Sequence, residues 1–206
     1  MDPVYAQRII NHLYEGINGF ALSQKARTKL PYYYAGHDYG EATFESFYRM
    51  LSIVHPKQGE IFYDLGSGVG KKVFIASFCF PFSTSVGIEL FEDLYHVSSG
   101  VLNRFITSVQ STLPKVQQQQ TMQFIHADFN THDFLDGDVI YISLHPAALD
   151  IELSNRLGNK LEHLKKGSRL ITSNIPFFSP LYDVFKIDTY TYKDGEGTVF
   201  FHRKII

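Results

Sequence analysis

Residues 62–74 read FYDLGSGVGKKVF. An apolar run reaches Asp64, glycine recurs at 66, 68 and 70, and Lys71 and Lys72 open a second apolar run. Glycine at alternate positions lets the chain take left-handed turns and lets a ligand approach the backbone closely. The spacing predicts a strand over IFYD, a loop, and a helix over KKVFIASFC, so the chain is tied to a strand–loop–helix junction with a ligand at the strand's end.

The same rhythm continues downstream. SVGIEL, MQFIHAD, DVIYIS and SRLITS read as strands, EDLYHVSSGVLNRFITSVQSTL as a long amphipathic helix, and residues 149–164 as a further helix. Strands separated by crossover helices imply a parallel sheet with helices on both faces. The end of the chain breaks the pattern: DVFKIDTYTY, KDGEG and TVFFHRKI form two alternating β segments around a glycine-rich turn, an antiparallel hairpin. Upstream, Asp2 caps a helix over 3–16 with Pro3 in its first turn. Phe44, Phe47, Tyr48, Leu51 and Val54 place a helix over 43–55. The segment between these helices has no clean period and reads as an arm or loop, as does the glutamine tract at 117–120. The division expected is a helical and loop extension over 1–58 and an α/β domain over 59–206.

The chain has 206 residues, 44% apolar and 19% charged, an ordinary globular mixture. A net charge of −2 argues against nucleic-acid binding through the protein's own field. Cys79 is the single cysteine, so an internal disulfide is excluded, and its apolar surroundings make it a small buried hydrophobe. The first residues do not resemble a signal peptide, and none of the apolar runs approaches the roughly 20 residues of a membrane span. A soluble, intracellular, cytoplasmic protein is expected. The nine histidines show no metal-ligand spacing, and a metal is not expected.

Three ligands compete for the glycine loop. A phosphate-binding loop needs glycine where Leu65 stands and serine or threonine where Lys72 stands, so it fails twice. The dinucleotide fingerprint G-x-G-x-x-G is missed by one residue. Glu89, ending the second strand, is placed to accept both hydroxyls of a ribose, which suits a dinucleotide and S-adenosylmethionine equally. Asp64 separates them: it would repel a pyrophosphate and attract the cationic methionyl end of S-adenosylmethionine. Asp128 and Phe129, after the third strand, suit an adenine amino group and ring; in isolation they read as an Asx turn beside a core aromatic, but as the third strand end in a row to carry an acid they favour the site.

DLGSGVG, GIEL, ADF and the upstream YGE at 39–41 together resemble the non-SET histone-lysine methyltransferases of the disruptor-of-telomeric-silencing type, over residues 31–177. The resemblance implies the α/β fold of class I methyltransferases, a seven-stranded Rossmann-like sheet with an antiparallel C-terminal hairpin, and S-adenosyl-L-methionine as cofactor. By it, Tyr39 and Glu41 lie on a loop closing over the methionine end, and Asp64, Gly66, Ser67, Gly68 and Gly70 line the cofactor loop. Glu89 takes the ribose; Asp128 and Phe129 take the adenine. The IPF ending of KKGSRLITSNIPF is also similar to mitochondrial lysine methyltransferases that modify a membrane subunit of ATP synthase. Where the histone enzymes carry two asparagines after the fourth strand, this chain has Ser143, Leu144, His145 and Pro146. Histone is therefore not carried over as the acceptor.

The activity expected is protein-lysine N-methylation, with an unidentified protein as partner. Methylation of a small molecule or another side chain, or a non-catalytic cofactor-binding module, are the alternatives. Tyr39, Ser143 and His145 are the catalytic candidates, His145 as base or hydrogen-bond donor or simply as a capping residue. Tyr39, Phe177 and Phe201 are expected to wall an apolar channel that lowers the acceptor amine's pKa from about 10.4. PYYY at 31–34 reads as a substrate platform or as a loop over the sheet edge, and Lys71 and Lys72 as solvent-facing.

Overall fold

In β1 (Ile61–Leu65) the period of two sends Phe62 and Asp64 to one face of a sheet and Tyr63 and Leu65 to the other. That alternation sets the layers of the molecule. The computed structural model describes residues 1–29, 39–143 and 151–206, and of 151–155 the backbone alone. The remaining strands are β2 (Thr84–Glu89), β3 (Thr121–His126), β4 (Val139–Ser143), β5 (Arg169–Ser173), β6 (Tyr182–Tyr192) and β7 (Gly195–Lys204). They form one seven-stranded sheet in the order β3-β2-β1-β4-β5-β7-β6. The first five run parallel, and β7 pairs antiparallel with both β5 and β6, as the class I methyltransferase reading requires.

Strand order reverses at β1, which has β2 on one side and β4 on the other. In open α/β sheets such a switch point leaves a crevice at the strands' carboxyl ends. Register keeps those ends level: Leu65 lies between Ile88 and Ile142, Glu89 beside His126, and Ser143 beside Ser173.

Helices α1 (Pro3–Leu13), α2 (Gly19–Arg27), α3 (Phe44–Ile53), α4 (Lys71–Cys79) and α5 (Glu92–Ser108) precede α6 (Lys115–Gln118) and α7 (Ile151–Glu162). Asp2 and Thr43 cap α1 and α3 through their side chains, as their types predict. Ile10 and Leu13 of α1, Phe47 and Met50 of α3, and Phe74 and Phe78 of α4 share one buried cluster with Phe62, Tyr141 and Phe201 of the sheet. Burying a phenylalanine of this kind contributes about 2–3 kcal/mol. The opposite face packs Tyr63, Leu65, Ile140 and Leu170 against Leu157 and Leu161 of α7.

Two stretches read as loops are ordered by side chains. Residues 19–27 form α2, capped by the Asn18 carboxamide accepting from the Ala21 amide. The glutamine tract includes the end of α6, and Gln120 donates from its amide to the carbonyls of Phe80 and Phe82 at 2.8 and 3.0 Å. The tract braces the turn before β2, where a solvated loop was expected. The long helix α5 ends at Ser108, and a short 3-10 turn over Gln110–Thr112 follows.

Candidate active site

The glycine loop is stapled to β2 by the amides of Gly66 and Ser67, which both donate to the Ile88 carbonyl. Gly68 has φ +58°, and a Cβ there would stand 2.5 Å from the Tyr39 ring. Only glycine allows the Tyr39 ring to lie on the loop. Gly70, at φ +89°, turns the chain into α4. The Ser67 side chain is buried against Gly87, and its hydroxyl finds no hydrogen-bond partner among the described residues.

Asp64 is fully buried, and among the described residues neither of its carboxylate oxygens receives a hydrogen bond. The Lys72 ammonium lies 3.4 Å away and over the Tyr141 ring. Burial drives the Asp64 pKa up to about 6, Lys72 opposing and Glu89 reinforcing the shift. A buried carboxylate short of donors fits a ligand with a cationic end. Glu89 closes the other side of the loop, accepting from the Gly68 amide at 2.6 Å and the Phe91 amide at 2.8 Å. Burial raises its pKa, and these amides act against the shift. Its carboxylate therefore holds the loop in shape.

Asp128 and Phe129 follow β3. Asp128 accepts from the amide and the side chain of Asn130, both at 2.8 Å, an Asx turn. Phe129 is half-buried against the α7 face, and its carbonyl accepts from Lys160. The Asx turn read from the sequence is formed, and it leaves both residues at the carboxyl end of β3.

Over the loop lies the 39–43 segment. It is tied to β6 by Thr43 donating to the Thr191 carbonyl and to the hairpin turn by Lys193 donating to the Glu41 carbonyl. Glu41, 6% exposed, accepts from the Tyr39 hydroxyl at 2.6 Å and from Lys71 at 3.0 and 3.1 Å, and pairs with Lys193. Burial alone would raise its pKa, but Lys193, Tyr39 and Lys71 outweigh it and hold the carboxyl at about 2. Burial and Glu41 push the Tyr39 phenol far above its ordinary range, so it stays protonated. Lys71 and Lys72, expected to face solvent, instead meet Glu41 and Asp64: α4 starts at the loop, and its first turn points the lysine stems at the two acids.

Next to this cluster a cleft of about 160 Å³ is lined by Tyr39, Ser143, Asn174, Tyr192 and hairpin residues including Glu196. Ser143 is exposed at the end of β4. Asn174, at φ +70°, follows β5 and donates its amide to the Thr198 carbonyl. Tyr192 hydrogen-bonds Ser173 at 2.6 Å, and Ser173 contacts the Tyr141 hydroxyl at 3.0 Å. The channel wall expected from Phe177 and Phe201 is not there. Phe201 is 0% exposed in the α4-side core, and Phe177 lies on the opposite face against Tyr182 and His202. The antiparallel strand β7 turns Phe201 into the core, and Tyr192 takes the place by the cleft. Asn174 and the hairpin turn were missed: SNIPF and KDGEG carry no charge pattern or period that sets them apart from ordinary loops. His145, Leu144 and Pro146, like PYYY at 31–34, lie outside the described residues.

Among the described residues, groups of histidine, cysteine and acids able to hold a metal are not found, nor is a helix long and apolar enough to cross a membrane.

A family model described as histone methylation protein DOT1 matches residues 22–192. The H3 lysine-79 specific histone-lysine N-methyltransferase of Debaryomyces hansenii is 26% identical over 147 residues, 70% of this chain. The match spans 12% of that protein's length. Two solved structures share the fold. An RNA methyltransferase from Salinibacter ruber, in complex with S-adenosyl-L-homocysteine, is 20% identical with a TM-score of 0.54 over 77% of this chain and 89% of its own. Magnesium protoporphyrin IX methyltransferase from Synechocystis, with bound S-adenosylmethionine, is 12% identical with a TM-score of 0.56 over 93% of each chain.

Proposed function

The chain belongs to the DOT1 histone methylation family of S-adenosylmethionine-dependent methyltransferases, and from that premise we propose that it methylates the ε-amine of a lysine in a protein. The observation that carries the reading is the position of Tyr39: its ring lies on Gly68 of the glycine loop and also lines the cleft. One residue thus borders both the place for the methyl donor and the place for the acceptor.

S-adenosylmethionine, when bound, supplies a methyl group on a cationic sulfur, and the protein's work is alignment and desolvation. Asp64, Gly66, Gly68 and Gly70 would hold the methionyl end and the loop-facing sugar, and Ser67 would act through its backbone alone. Glu89 would take the ribose hydroxyls with its remaining acceptor capacity. Asp128 and Phe129 would border the adenine. Tyr39 and Glu41 would close over the methionine, with residues 1–58 as the extension that carries them. Ser143, Tyr192 and Asn174 would receive the acceptor amine. Loss of water on entering the cleft would lower the acceptor ammonium's pKa and free the lone pair for in-line attack, with Asp194 and Glu196 of the lining acting against the shift. His145 remains the candidate base or hydrogen-bond donor. We place the reaction in the cytoplasm.

The test is transfer of tritiated methyl from S-adenosylmethionine into histone H3, whole-cell protein and a small-molecule extract. The expected result is a labelled protein bearing methyl-lysine by mass spectrometry, lost in Asp64→Ala. Label confined to the small-molecule extract would overturn the protein-lysine reading, and cofactor binding without transfer to any fraction would favour a non-catalytic module.

A further inference from the structure

Glu41 is one carboxylate facing two ammonium groups, Lys71 from the first turn of α4 and Lys193 from the β6–β7 turn. The two ammonium groups share this one carboxylate, while Asp194 and Glu196 of the same turn line the adjoining cleft. Lys72 does not join this cluster, because the buried Asp64 stands 3.4 Å away. Glu89 is engaged by the Gly68 and Phe91 amides rather than by either lysine. Two like charges held together around a mostly buried acid repel each other, and an added anion relieves that repulsion. Lys193 is half-exposed, so an incoming group can reach it.

Resting on the methyltransferase reading, we infer that Lys71 and Lys193 together hold the α-carboxylate of the cofactor's methionine, one from the loop side and one from the hairpin. The α-amino acid end of the cofactor is a zwitterion. Its ammonium would meet the acids Asp64 and Glu41, whereas its carboxylate would meet Lys71 and Lys193, Lys72 being paired with Asp64. The consequence is structural as well as electrostatic. The turn that supplies Lys193 also supplies Tyr192, Gly195 and Glu196 to the acceptor cleft. The cofactor's amino-acid end and the acceptor would share one hairpin, so binding of the first would set the position of the wall that meets the second.

The test compares S-adenosylmethionine with decarboxylated S-adenosylmethionine, which keeps the ammonium and sulfonium and lacks only the carboxylate. Binding is measured by calorimetry on the wild type, Lys71→Met and Lys193→Met, with melting curves to confirm folding. Wild type should prefer the complete cofactor, and each variant should lose roughly tenfold in affinity for it, while affinity for the decarboxylated form moves by no more than about twofold. Lys193 lies on a half-exposed turn, so its variant keeps the test intact should Lys71→Met unfold. Equal losses on both ligands, no loss on either, or no wild-type preference would overturn the inference while leaving the methyltransferase reading in place. Wild type binding neither ligand would overturn both.

Discussion

Asp64 offers the sharpest quantitative test. Its folded pKa of about 6 lies some two units above the ordinary aspartate value, burial being the cause. A raised carboxylate pKa means that the folded state holds the proton more tightly than the unfolded chain. The stability this contributes is therefore complete below about pH 4 and is lost as pH rises through about 6. Two units at about 1.4 kcal/mol each give a loss of about 3 kcal/mol across that window. Asp64→Asn removes the titration while keeping the shape. Urea unfolding of both proteins at intervals from about pH 4 to pH 7 isolates the effect, because every other carboxylate is common to the pair. Wild type should fall relative to the variant by about 3 kcal/mol as pH rises. The same ionisation should sharpen affinity for S-adenosylhomocysteine, whose amino-acid end carries an ammonium, as pH passes about 6 in wild type alone. A flat difference, or one that rises with pH, would mean that Asp64 is solvated or hydrogen-bonded and would refute the picture of a donor-starved buried acid.

Gly68→Ala should cost about 1–2 kcal/mol from the left-handed backbone, and more where its methyl meets the Tyr39 ring 2.5 Å away; a thermal shift together with weakened S-adenosylhomocysteine binding would show it. Should binding survive intact, Tyr39 does not need to rest on the loop. Phe201→Ala should cost about 3–5 kcal/mol in urea unfolding, since its ring is fully buried in the core. A stable Phe201→Ala protein with altered acceptor KM would restore the channel role that the fold denies it.

The strand–loop–helix junction at 62–74, the alternation after it and the terminal hairpin were legible because each is a local pattern: period two, period three to four, and glycine where φ turns positive. Acids at successive strand ends were legible for the same reason, since parallel strands in register bring their carboxyl ends level whatever the helices between them do. Other features depended on which chains meet. Residues 19–27 show no amphipathic period in the sequence, yet form a helix that lies against α5. Lys71 and Lys72 look like solvated charges at a helix start; only the folded chain puts Glu41 and Asp64 within reach of them. Phe201 and Tyr192 are both aromatic residues of one hairpin, and the sequence does not say which of them faces the cleft. That was decided by the antiparallel register of β7 against β5, which sets Phe201 opposite Ile171 and sends it inward. Local chemistry determined where a ligand is met, and long-range pairing decided which charges and rings surround it, because partners far apart in sequence have no local signature to read.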